Sequence, residues 1–120
     1  MTREDIKAML DNLDLPLAYH HFAEGEAPEL PYIVYHYPES DNFAADNVAF
    51  AKGDNLSIEL YTEKRDFDME GRLEDILDEH DLFYVKTEIF IPSEDMYEIL
   101  YEMEGAVWEE IVFRRKSKRR

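Results

Sequence analysis

"AYHHFAEGEAPELPYIVYHYPESDNF", Ala18 to Phe43, gathers three of the chain's four histidines and four of its eight tyrosines. It is either a metal or catalytic site or a piece of sheet. "YIVYHY", Tyr32 to Tyr37, is the strongest strand signal in the chain, rich in β-branched and aromatic residues. Leu17 to Phe22 reads as a second aromatic-rich strand. "AEGEAPELP" between them holds Gly25, Pro28 and Pro31 and reads as a loop. Adjacent residues of a strand point to opposite faces, so His20 and His21 are expected to part, with His36 able to join only one of them. Two imidazoles without a positioned carboxylate fall short of the three protein ligands of catalytic zinc, and no HExxH spacing occurs. The histidines are therefore read as structural, with no metal, cofactor or catalytic residue expected. His80 suits the end of a helix, where a cation complements the dipole.

Around this stretch the pattern builds an α+β domain. In "TREDIKAMLDNL", Thr2 is placed to cap a helix, Glu4 and Asp5 sit in its first turn, and Ile6, Met9, Leu10 and Leu13 form an apolar stripe ending before Pro16. After "PESDN", Asn42 to Lys52 reads as a weaker strand and "KGDN" as a hairpin turn. "LSIELYT" alternates, with Leu56, Ile58 and Leu60 on one side and Ser57 and Glu59 on the other. Met69, Leu73, Ile76, Leu77 and His80 mark a second helix, weakened at Gly71. "LFYVKTEIFI" is a strand, Pro92 to Asp95 a turn, and "MYEILYEM" a strand. Gly105 to Phe113 fits either a strand or a short helix. The expected order is α-β-β-β-β-α-β-β: a two-layer sandwich with both helices on one face of a mostly antiparallel or mixed sheet. The domain spans 1–113, and residues 114–120 form a basic tail expected to lack order.

The charge is uneven. The net charge is −16, yet "RRKSKRR" at the end holds six of the 13 bases, leaving seven against all 29 acids in Met1 to Phe113, or −22. A body this acidic repels phosphates and anionic lipid, so neither specific nucleic-acid binding nor a membrane is expected. With no cysteine, disulfides, thiolate metal sites and a cysteine nucleophile are excluded. The opening "MTREDIKAML" carries acids and no long apolar run, so no secretory signal is expected there. The four serines stand outside any GxSxG context, and the four glycines build no phosphate loop. The abundant acid pairs, as in "EDILDE", are the ordinary solvated faces of an acidic protein.

From Met1 to about Glu104 the sequence resembles a family. "LPLAYHHFAEGEAPELPYIVYHYPESDNFAAD", then "IELYTEKRD" and "YEILYEME", is similar to small proteins encoded among the head-tail and tail genes of siphophages and prophages of Gram-positive bacteria. Such proteins resemble tail-completion or tail-terminator proteins, and the resemblance implies an α+β fold. It further implies a non-enzymatic virion component that forms a ring at the head-tail junction. Its partners would be other tail and neck proteins, and its location the virion, with the host cytoplasm during assembly. The residues expected to matter are contacts: Glu24, Glu26 and Glu29 in the first loop, and Asn42, Phe43 and Lys52 in the weak strand. Arg114, Arg115, Lys116, Lys118, Arg119 and Arg120 could attract the acidic body of an adjacent copy or DNA passing close by. The alternative is an acidic binding module, such as a DNA mimic that blocks a basic partner. A small enzyme using His20 or His36 is the third class, open to test by metal analysis and histidine titration.

Overall fold

The computed structural model describes the backbone of residues 1–40, 43–45 and 49–110, and the side chains of 1–40 and 53–107. Helix α1 runs Arg3–Asp11 and α2 runs Phe67–Glu79. The strands are β1 (Leu17–Tyr19), β2 (Tyr32–His36), β3 (Phe43–Ala45), β4 (Ala49–Thr62), β5 (Val85–Ile91) and β6 (Met96–Glu110). The expected order α-β-β-β-β-α-β-β is the observed one. The sheet runs β1-β2-β4-β6-β5, with β3 pairing the outer half of β4. It is mixed: β1 lies parallel to β2, and the other pairs are antiparallel. Among the described residues no helix is long and apolar enough to cross a membrane.

Local chemistry sets the helices. Asp5 N–H donates to Thr2 Oγ1 at 3.0 Å and Thr2 N–H to Asp5 Oδ2 at 2.9 Å, a reciprocal capping box that satisfies two otherwise orphaned donors. Asp66 caps α2 by accepting from Met69 N–H at 3.0 Å. The apolar stripes then meet one sheet face. Ile6, Met9, Leu10 and Leu13 join Leu73 and Leu77 over Ile33 and Tyr35 of β2, Leu56, Ile58 and Leu60 of β4, and Ile99, Tyr101 and Met103 of β6. Register confirms the common face, since Leu60 lies between Ile33 and Ile99, and Ile58 between Tyr35 and Tyr101. The core is thus one-sided, and among the described residues no helix lies on the opposite sheet face.

Four expectations from the sequence are corrected. The single strand expected over Asn42 to Lys52 is divided between β3 and the start of β4, which pair antiparallel with Phe43 opposite Ala51. The "KGDN" segment is not a hairpin turn: β4 passes through it, with Gly53 opposite Trp108 and Asp54 opposite Val107. The ladder is irregular just beyond, where Glu104, Gly105 and Ala106 face Asn55 alone. Gly105 takes φ +60, a left-handed conformation that costs glycine little, and donates its N–H to Asn55 Oδ1 at 2.9 Å. The turn-forming residues serve a bulge. Gly105 to Glu110 is strand, which settles the described part of the ambiguous segment; 111–113 lie outside the described residues. The strand begun at Leu17 stops at Tyr19 rather than Phe22, and the strand expected from Leu82 begins at Val85.

Candidate functional site: a polar cluster on the open sheet face

The early stop of β1 rearranges the histidines. His20 adopts φ +70, outside the strand region, while its N–H still donates to Tyr35 O at 2.7 Å; His21 N–H turns back to Tyr19 O at 2.8 Å. The alternation that would part the two rings is broken. His20 Nδ1 and His21 Nδ1 lie 2.9 Å apart, so one ring donates and the other accepts. His36 of β2 stands edge-on to His20, with ring centroids 5.6 Å apart. The expected separation of the histidines is therefore overturned, and all three imidazoles adjoin. Among the described residues, no group of three or more His, Cys, Asp or Glu side chains is placed to hold a metal ion.

His36 connects this group to the middle of the open face. Its Nδ1 is buried without a hydrogen-bond partner among the described residues and lies 3.5 Å from Glu59 Oε1, close enough for attraction when the ring is charged but not aligned as a hydrogen bond. Glu59 and Tyr61 are two apart on β4, so they share the face, and Tyr61 lies directly opposite Glu98 of β6. Tyr61 Oη donates to Glu59 Oε2 and lies 3.4 Å from Glu98 Oε1. One phenolic proton cannot satisfy two carboxylates. Glu98 is pushed above the usual carboxylate range, by burial first and then by the charge of Glu59, with the Tyr61 contact opposing. Burial and the hydrogen bond to Glu59 push the Tyr61 hydroxyl far up. Tyr32 tilts over Tyr61 at 5.2 Å, and Phe22 meets Tyr32 edge-on at 5.2 Å, so the loop after β1 edges the cluster. The arrangement can share protons and accept hydrogen bonds from a neighbour.

A second constellation lies on the helix side. Glu70 of α2, 1% exposed, accepts from Arg65 Nε at 2.9 Å and Nη2 at 2.7 Å, and meets Lys86 Nζ of β5 at 2.9 Å. Burial alone would raise its pKa, but the hydrogen bonds from Arg65 and Lys86 outweigh that and hold it below the usual range. Lys86 also reaches Glu74 at 2.6 Å, which accepts from Tyr101 Oη at 2.8 Å, and Arg65 pairs with Glu88. This network ties α2 to β5 and β6.

The contact residues expected from the sequence are dispersed. Glu24, Glu26 and Glu29 are exposed on the loop between β1 and β2. Phe43 belongs to β3, opposite Ala51, and Lys52 belongs to β4, opposite Glu109; their side chains are outside the described set. Asn42 and the basic residues from Arg114 to Arg120 lie outside the described residues. Sequence reasoning missed Glu59, Tyr61 and Glu98 as a group. The i, i+2 spacing of Glu59 and Tyr61 was visible, but Glu98 joins them only through the β4–β6 register.

No family model matches the chain, and a search of curated proteins finds no match either.

Proposed function

We propose that this chain is a non-enzymatic structural protein of a phage or prophage virion, a tail-completion or tail-terminator protein that acts as a ring at the head-tail junction. The observation that carries the reading is the division of the sheet into a covered part and a projecting ribbon. The helices pack over β4 from Leu56 to Leu60. Beyond Asn55, the outer part of β4 has β3 on one side and β6 on the other. At about 3.3 Å per residue, the 14 residues of β4 run roughly 46 Å, longer than the core needs. A three-stranded arm on a small domain suits contact with neighbours in an assembly, and the sheet face on which no described residue forms a helix gives it a second surface. The resemblance from Met1 to about Glu104 supplies the particular assembly. The −22 balance of the body supplies a physical role: an acidic conduit repels DNA and keeps it from adhering in passage.

The test is localisation. Gold-labelled antibody against this chain, viewed on intact particles by electron microscopy, is expected at the neck, one cluster per particle. Label along the tail, on the capsid or absent from particles contradicts the reading. Recovery of the chain bound to a nucleic-acid enzyme, with no virion label, favours the acidic binding module instead.

A further inference from the structure

Strand β5 is one edge of the sheet. It pairs β6 through seven consecutive register positions without a bulge, leaving its other side without a strand partner among the described residues. Natural edges are blunted by bulges, proline or lysines. Here Val85–Ile91 contains no proline, and its lysine, Lys86, is bound to Glu70 and Glu74 of α2. The edge is also apolar: Phe83 is 96% exposed, Val85 65% and Phe90 47%.

The geometry points to a second copy of this chain as the partner, joined edge to edge through β5 about a two-fold axis at Thr87. In an antiparallel pair, directly opposite residues share a face. A two-fold axis perpendicular to the sheet must then pass through a residue, so few registers are possible. An axis at Glu88 sets Glu88 against its own copy, and one at Lys86 sets lysine against lysine, both destabilising. An axis at Thr87 matches every position. Phe83 meets Ile91, Val85 meets Ile89, and Thr87 meets Thr87 on the open face; Tyr84 meets Phe90 and Lys86 meets Glu88 on the helix face. Lys86 spends two of its three hydrogens on Glu70 and Glu74, and Glu88 already holds Arg65. The Lys86–Glu88 pairs therefore join the ion networks of the two copies into one. Such a contact is isologous and closed, giving a dimer and not a fibre. It does not rest on the virion assignment; under that reading the dimer is the free form, and a ring is built through other, heterologous contacts.

Because the chain has no cysteine, single cysteines test the register directly. Thr87→Cys, Val85→Cys and Ile89→Cys are made in the full chain and oxidised with oxidised glutathione, and disulfide dimers are read on non-reducing gels. An opposed pair brings Cβ atoms within about 5.5 Å, whereas Val85 and its own copy are roughly 13 Å apart in this register. Thr87→Cys is expected to cross-link to itself at least about tenfold faster than Val85→Cys, whose rate rises only on mixing with Ile89→Cys. Sedimentation of the unsubstituted chain is expected to show a monomer–dimer equilibrium. Thr87→Arg, an exposed site that sets like charges on the axis, is expected to weaken that equilibrium by about tenfold or more. A chain that stays monomeric at every concentration overturns the proposal, as does equal cross-linking at positions 85 and 87.

Discussion

Two glutamates on opposite faces of the sheet carry opposite pH signatures. Glu70 is buried against Arg65 and Lys86 and held below the usual carboxylate range, so its ionised form is favoured by folding. Its contribution is fully present above the ordinary glutamate pKa and is lost as pH falls through the depressed folded value. Glu70→Gln removes the carboxylate that Arg65 and Lys86 share, while Glu88 and Glu74 remain to them, and is expected to cost about 2 kcal/mol in urea unfolding at neutral pH. Glu98 is raised by burial and by Glu59, so folding favours its protonated form. Its contribution is present below the ordinary pKa and is lost as pH rises through the folded value. Glu98→Gln is therefore expected to stabilise the protein at neutral pH, by a few tenths to about 1 kcal/mol, and to leave stability near pH 3 almost unchanged. A loss of stability at neutral pH would show that Tyr61 needs the charged partner. At this scale the sequence was least legible. Adjacent histidines in a strand must diverge, and they do not because one residue, His20, takes a left-handed conformation that histidine tolerates better than β-branched residues but does not advertise.

Elements were legible where burial is one-sided. The stripe of α1 and the alternation of Leu56, Ile58 and Leu60 are both consequences of a core on one sheet face, so period and burial agree. The parallel pairing of β1 with β2 was not legible, because a 12-residue connection carries no signal of strand direction. Nor was the continuity of β4 through "KGDN", because glycine, aspartate and asparagine mark a departure from regular strand without saying whether the chain turns or bulges. The bulge reading has a direct check. The space around Gly105 is open to a Cβ, so Gly105→Ala meets only the cost of φ +60. It is expected to destabilise by about 1–2 kcal/mol, and Gly105→Asn by less, since asparagine accepts the left-handed region. If Gly105 instead sat in regular strand, alanine would be neutral or stabilising. Asn55→Ala removes the acceptor for Gly105 N–H and is expected to cost about 1 kcal/mol by the same measurement.

At the scale of the molecule, a one-sided core leaves a small domain with, among the described residues, a sheet face free of helices, an unblunted edge and a ribbon that outruns its helices. Each is a place where surface remains for a neighbour to cover. The acidic balance was readable from composition alone, but the polar cluster was not, because His36, Glu59 and Glu98 come from three strands and meet only once the register is fixed. The proposed ring ties these features to one role: closing the open end of a growing tail tube and joining it to a head. A tube whose end is never capped keeps adding subunits, and a head with no joined partner stays free. Under that proposal the gene for this chain sits in a phage or prophage genome, and deleting it there, followed by electron microscopy of the lysate, measures both. The account predicts filled heads without tails alongside tail tubes of irregular, excessive length, with rescue by the gene supplied in trans. Normal particles with tails of ordinary length, in full numbers, would contradict it.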